Sequence, residues 1–306
     1  GTFHAVNGDG MRRRSDGPLR ETGQRRVASL PLLVRWIPFT CRSVMSDLVD
    51  TVTRDSVVRL VMNRPEKRNA LNAALVRDLK TALEAVATDD SVRVITLEGR
   101  GDVFSAGADL AALKALRTAA PMKNRADSQH LAELFLQIYR HPKPIIAKVH
   151  GHAIAGGCGL AAVCDIAIAA HGAKLGFTEV RIGFVPAIVM VFLRRKVGET
   201  TARNLLLRGH LVESQEAADC GLIMRAVAPE ALDETVRTLA DEIADTTSGS
   251  AVALTKQMLA QVSGMGLHEA LDYAIQMNAF ARGTDDCQAG IQAFLDREPP
   301  PWSKGE

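Results

Sequence analysis

Three short segments carry residues suited to chemistry. In Phe104-Ser-Ala-Gly-Ala-Asp-Leu110 a glycine turn follows a strand-like run, and Gly107 permits a tight turn that exposes the Ala108 amide. In Val149-His-Gly-His-Ala-Ile-Ala-Gly-Gly-Cys-Gly-Leu-Ala-Ala-Val-Cys-Asp165, Gly156 and Gly157 open a helix after a buried strand. A helix N-terminus offers unpaired N–H groups and the positive end of a dipole, and small residues let a ligand approach that backbone. The same run also reads as a close-packed helix with no ligand. In Phe177-Thr-Glu-Val-Arg-Ile-Gly-Phe-Val-Pro186, Glu179 sits among Phe177, Val180, Ile182 and Phe184. A lone glutamate is ordinarily a solvated surface group; an apolar setting raises its pKa and suits proton transfer near neutrality.

Other chemistries lack their signatures. There is no GxxxxGK[ST] phosphate loop, no HExxH and no GxSxG elbow. Gly156-Gly157-Cys158-Gly159 is too short for a dinucleotide fingerprint. His150 and His152 lie two apart on one side of a strand, without a nearby carboxylate or cysteine to complete a zinc site, so packing or hydrogen bonding is the expectation. No metal is expected.

The elements that must position these residues alternate. Val57–Met62 and Val92–Glu98 read as strands. Between them Asn72–Ala87 carries Leu75, Leu79, Leu83 and Val86 at helical spacing, with Asn72 as N-cap. Ile145–Val149 and Asp165–Ala170 read as buried strands flanking a small-residue helix over Gly156–Cys164. From Val197 onward the pattern is helical: 198–208, 213–219, 229–246, 248–262, 266–282 and 285–297. This is an α/β core followed by an α-helical C-terminal region, packed as one unit.

The chain has 306 residues, 37 Lys+Arg against 35 Asp+Glu, and 24% charged residues. That balance gives no reason to expect nucleic acid or an anionic membrane as partner. Aromatics are only 4%, so Leu, Ile, Val and Ala must build the core. The apolar stretch Ile145–Ala170 is broken by Lys148, His150, His152 and Asp165, which argues for buried core over a membrane span. Five scattered cysteines form no CxxC pair, pointing to a reducing compartment and a cytoplasmic location. Residues 1–44 hold eight arginines and three acids. Their composition predicts disorder, with Met45 as the natural start and the segment before it a leader or added extension; an organelle transit peptide is the other reading.

With Asn63-Arg-Pro-Glu-Lys-Arg-Asn-Ala-Leu71 as a fourth segment, the order and spacing of the motifs resemble the enoyl-CoA hydratase/isomerase (crotonase) superfamily over roughly residues 48–297. The resemblance implies a crotonase-like spiral of ββα units over 45–245 and a helical trimerisation region over 246–306. It implies a homo-trimer or a dimer of trimers. It also implies an acyl-CoA thioester substrate and no separate cofactor, since CoA belongs to the substrate. By motif match, the N–H groups of Ala108 and Gly156 form the oxyanion hole, and Glu179 is the catalytic acid/base. Ser105, Ala106, Gly107, Asp109, Gly157 and Gly159 match the surrounding substrate-binding positions. Lys67 and Arg68, between a strand and a helix, are placed to reach the nucleotide phosphates or else face solvent, and Arg297 is a candidate 3′-phosphate contact.

One departure matters. Hydratases of this family usually carry two glutamates, and the first falls here on Gly159. The pattern implies a hydratase-type lyase acting on a short or branched 2-enoyl-CoA, similar to bacterial methylglutaconyl-CoA hydratases. A Δ3,Δ2-enoyl-CoA isomerase using Glu179 alone is the alternative, and a non-catalytic acyl-CoA-binding protein the third. Ile188, Val189 and Met190 either add bulk beside the acyl chain or only pack a helix.

Overall fold

The computed structural model describes residues 47–303; the expected leader over 1–44 and Met45 lie outside the described residues. The chain runs through β1 (Val49–Arg54), β2 (Val57–Met62), α1 (Ala73–Ala87), β3 (Val94–Gly99), β4 (Val103–Ser105), α2 (Leu110–Leu116) and α3 (Pro121–Arg140). It continues with β5 (Ile145–Val149), β6 (His152–Ile154), α4 (Gly156–Val163), β7 (Ile166–Ala170), β8 (Lys174–Gly176), α5 (Ala187–Lys196) and α6 (Glu199–Arg208). The last elements are β9 (Leu211–Glu213), α7 (Ser214–Asp219), β10 (Arg225–Val227), α8 (Leu232–Thr246), α9 (Gly249–Val262), α10 (Leu267–Ala281) and α11 (Asp285–Asp296).

Two sheets result. The larger has the order β1-β2-β3-β5-β7-β10 and the smaller β4-β6-β8-β9. The pairs β3/β4, β5/β6 and β7/β8 each send one strand to each sheet before the chain enters a helix. That repeat is the ββα spiral. Its internal strands are parallel, with antiparallel pairs only at β1–β2 and β8–β9.

The central strands bury both faces, as their near-continuous apolar sequences require. Period-two alternation sorts them between two cores. Ile95, Leu97, Ile145, Ala147, Val149, Ala167 and Ala169 pack with α1, α3 and α4 on one side. Val94, Ile146, Ile168 and Ala170 pack on the other side against Leu232, Val236, Ala240 and Ala244, a stripe at four-residue spacing along α8. Asn72 caps α1 by accepting from Leu75 N at 2.8 Å.

Sequence patterning falls short in two places. The tail after Val197 is not wholly helical: Leu211–Glu213 closes the smaller sheet against β8, and Arg225–Val227 extends the larger one beside β7. Three residues are too few to show alternation. Helix α3 also escapes, because only its second half is apolar and buried, at Leu134, Phe135 and Ile138. Its first half is polar and exposed. No helix among the described residues is long and apolar enough to cross a membrane.

Candidate active site

The site begins with a parallel bridge between Leu71 and Ala108. Leu71 N donates to Gly107 O at 2.6 Å, and Asp109 N donates to Leu71 O at 3.1 Å. In a parallel ladder the residue between two such bonds turns its own N–H and C=O the other way. The Ala108 amide therefore faces away from Leu71, toward the cavity that Ala108 lines. Gly107 makes the turn at φ +84°, and a Cβ built there lies 2.6 Å from Ile154 O and 3.1 Å from Gly156 N. Only glycine lets the two amide-bearing segments come this close.

The second amide opens α4. Ala155 precedes it at φ 51°, ψ −122°, held by its N–H to Gly176 O at 2.7 Å. That is a conformation non-glycine residues rarely adopt. Gly156 N has no partner within the helix, as its first-turn position dictates. Gly157 lies against β4, where a Cβ would come within 2.3 Å of Ser105 O.

The segment 64–71 is stapled to this region by side chains. Asn69 is fully buried at φ 50°. Its Nδ2 donates to Arg100 O (2.9 Å) and Val103 O (2.8 Å), and its Oδ1 accepts from Arg64 N (3.0 Å). The Ser105 hydroxyl donates to Asn69 O and accepts from Gly107 N. Asp109 accepts from the N–H groups of Ala111 and Ala112 at the start of α2, and pairs with Arg64 at 2.7 Å. Burial pushes the Asp109 carboxyl up, but Ala112 N–H and Arg64 outweigh it and hold it below the usual range. Ser105 and Asp109 thus shape the backbone, and their polar atoms are taken.

Glu179 enters the same cavity from the 3₁₀ turn Glu179–Ile182, which Gly183 closes at φ 75°. It is 8% exposed, and its Oε2 has no hydrogen-bond partner among the described residues. Burial raises its pKa, opposed only by its own backbone N–H. The neighbours expected to bury it do so only in part: Phe177 is fully buried, but Ile182 and Phe184 are exposed along the cavity rim.

The cavity, about 300 Å³, gathers Ala106, Ala108, Asp109, Gly156 and Glu179. Gly107 and Ser105 are not among its lining residues. Ile188 and Val189 line it, whereas Met190 packs against the core. Gly159 does not face it: a Cβ there lies 2.5 Å from Val189 Cγ2 and 3.0 Å from Phe135 Cε2. Lys67, Arg68 and Arg297 are exposed outside its lining, Arg68 and Arg297 in left-handed caps of their helices. His150 bonds Gly101 O, and His152 Nδ1 accepts from Lys174 N. Among the described residues no cluster of three metal-ligating side chains occurs. The Cys158 thiol, fully buried behind the site, is pushed far up by burial and stays protonated. The sequence context of Asn69 does not mark it as a site residue. The signal available was an asparagine in a turn, the residue that best tolerates φ > 0 after glycine.

A ββα spiral that aims two backbone amides and one buried carboxylate into a single apolar cavity defines a class, and comparison with known proteins agrees. Residues 52–305 match the family described as Enoyl-CoA hydratase/isomerase. A Thermus thermophilus protein with an enoyl-CoA hydratase name is 43% identical over 249 residues, 81% of this chain and 98% of that one. The 2,3-dehydroadipyl-CoA hydratase of Escherichia coli K12 is 34% identical over 258 residues, 84% of this chain and 98% of that one. A crystal structure of a Mycobacterium smegmatis enoyl-CoA hydratase superposes with TM-score 0.78 at 32% identity, covering 83% of this chain and 98% of that one. The chain belongs to the enoyl-CoA hydratase/isomerase family, is built on the crotonase fold, and is an enzyme.

Two outcomes follow from this geometry. Asn69→Ala removes three buried hydrogen bonds at a left-handed position, so stability falls by about 3–5 kcal/mol in denaturant titration; a loss below about 1 kcal/mol contradicts the clamp. Glu179, raised above the usual 4.5, binds its proton more tightly folded than unfolded. Its contribution is present below the unfolded value and is lost as pH rises through the raised one. The melting temperature of Glu179→Gln therefore gains on wild type as pH rises above the unfolded carboxyl value, and a constant difference contradicts a raised Glu179.

Proposed function

We propose that the enzyme is a hydratase-type lyase that adds water to a short or branched 2-enoyl-CoA. The observation that carries this reading is the meeting of the Ala108 and Gly156 amides with buried Glu179, whose Oε2 is unpartnered, around one cavity. The thioester oxygen accepts from both N–H groups as negative charge moves onto it. Donors held ready in this way contribute on the order of 3–4 kcal/mol each. The Glu179 carboxylate takes a proton from water as the water oxygen bonds to the β-carbon. It then returns that proton to the α-carbon, so one carboxylate completes the addition.

The acyl size rests on Ile188 and Val189 at the cavity wall. Lys67 and Arg68 are assigned to the CoA phosphates and Arg297 to the 3′-phosphate, supported by their exposed cationic ends. Assembly into trimers draws support from the exposed apolar residues Leu267, Ile275, Phe280, Phe294 and Leu295 along α10 and α11, helices with no buried residue of their own. Free thiols at Cys158, Cys164, Cys220 and Cys287 fit a reducing, cytoplasmic setting.

A second reading has its own observation. Val189 and Phe135 occupy the space beside Gly159, leaving Glu179 as the buried, unpaired carboxylate of the cavity. One carboxylate suffices to shuttle a proton between two carbons, which is Δ3,Δ2-enoyl-CoA isomerase chemistry. Mass spectrometry separates the two. Hydration of crotonyl-CoA adds the mass of one water, and Glu179→Gln lowers that rate by about 10²–10⁴. Conversion of a 3-enoyl-CoA without any water gain from 2-enoyl-CoA substrates overturns the hydratase in favour of the isomerase.

A further inference from the structure

We infer that the cavity selects acyl chains with an uncharged end and rejects those ending in a carboxylate, with Asp127 as the residue that sets this preference. The inference rests on the acyl-CoA reading above and concerns the far end of the acyl group.

The charged side chains lining the cavity are Asp109, Asp127 and Glu179; among the described lining residues there is no lysine or arginine. The remaining titratable group is His130, whose Nε2 donates to Ala73 O at 3.2 Å. Arg64 is committed to Asp109 and to Ala70 O. Lys114, Arg117, Lys123 and Arg125 stand on or beside the same two helices but do not line the cavity.

Asp127 lies one helical turn before Leu131 and one after Lys123 on α3; it is exposed, and with Ser128 and Leu131 it lines the cavity that Val76 and Leu113 also line. The Asp127 side chain has no ion pair or hydrogen bond among the described residues. A thioester held at Ala108 and Gly156 extends its acyl chain over apolar Leu71, Val76, Leu113 and Leu131. A methyl end meets matching surface there. A carboxylate end meets no lysine or arginine among the described lining residues and faces the exposed carboxylate of Asp127. The 2,3-dehydroadipyl-CoA hydratase relative is named for a carboxylated chain; the charges here favour the opposite class, methylglutaconyl-type substrates being disfavoured as well.

Saturated thioesters of equal length test this without turnover. Calorimetry compares hexanoyl-CoA with adipyl-CoA on the full chain. Wild type is expected to bind hexanoyl-CoA at least about tenfold more tightly. Asp127→Asn narrows that ratio by roughly threefold and Asp127→Lys by more, and the Asp127-dependent part shrinks as salt rises from about 0.02 M to about 0.5 M. Equal or tighter binding of adipyl-CoA by wild type, or a ratio unmoved by Asp127→Lys, overturns the assignment. If neither thioester binds more tightly than free CoA, the acyl-CoA reading itself fails and this inference falls with it.

Discussion

The bridge between Leu71 and Ala108 is the constraint on which the site depends. Both backbone groups of Leu71 are spent on Gly107 and Asp109, so the amide between them has no choice but to face the cavity. Everything nearby serves that arrangement. Asn69 ties the turn before Leu71 to the β3–β4 corner, Ser105 ties it to β4, and Arg64 with Asp109 locks the first turn of α2. Gly107 then brings this strand against Gly156, and the second donor arrives from a different unit of the spiral. Two amides from separate ββα units are aligned because both units share the smaller sheet through β4 and β6.

Opposite these donors the protein buries a carboxyl group without a partner. An unsatisfied polar atom at Glu179 costs stability, and the raised proton affinity that results is what proton transfer near neutrality requires. In the proposed reaction the donors favour charge on the thioester oxygen, while Glu179 exchanges the proton that creates or removes it. Hydration and isomerisation share this half of the chemistry. They differ in whether water reaches the β-carbon; at Gly159, outside the cavity lining, Val189 and Phe135 take up the space a side chain would need.

Much of this was legible in the sequence because it is written in local rules. The capped helix α1, the apolar strands β2, β5 and β7, and the glycine-opened helix α4 each declare themselves by spacing and end residues. The turn at Gly107 and the first turn at Gly156 follow from residue type alone. What stayed hidden depends on distant contacts. Polar residues obscure α3 until its second half packs on α1, and three-residue strands gain their identity only from neighbours. The apolar context of Glu179 points to its burial, yet Ile182 and Phe184 turn outward to the cavity rim. Asn69 and Asp127 have ordinary sequence contexts; only their three-dimensional surroundings give them a task.

The central claim is that the two amides stabilise an enolate whose proton Glu179 exchanges. The most direct measurement is hydrogen exchange at the α-carbon of butyryl-CoA, a saturated thioester that can be neither hydrated nor isomerised. In D₂O, with NMR following the α-protons, the wild-type enzyme is predicted to replace α-hydrogen by deuterium, and Glu179→Gln to abolish that exchange while still binding the thioester. Absence of exchange with bound wild-type enzyme, or equal exchange by the Glu179→Gln variant, contradicts the account.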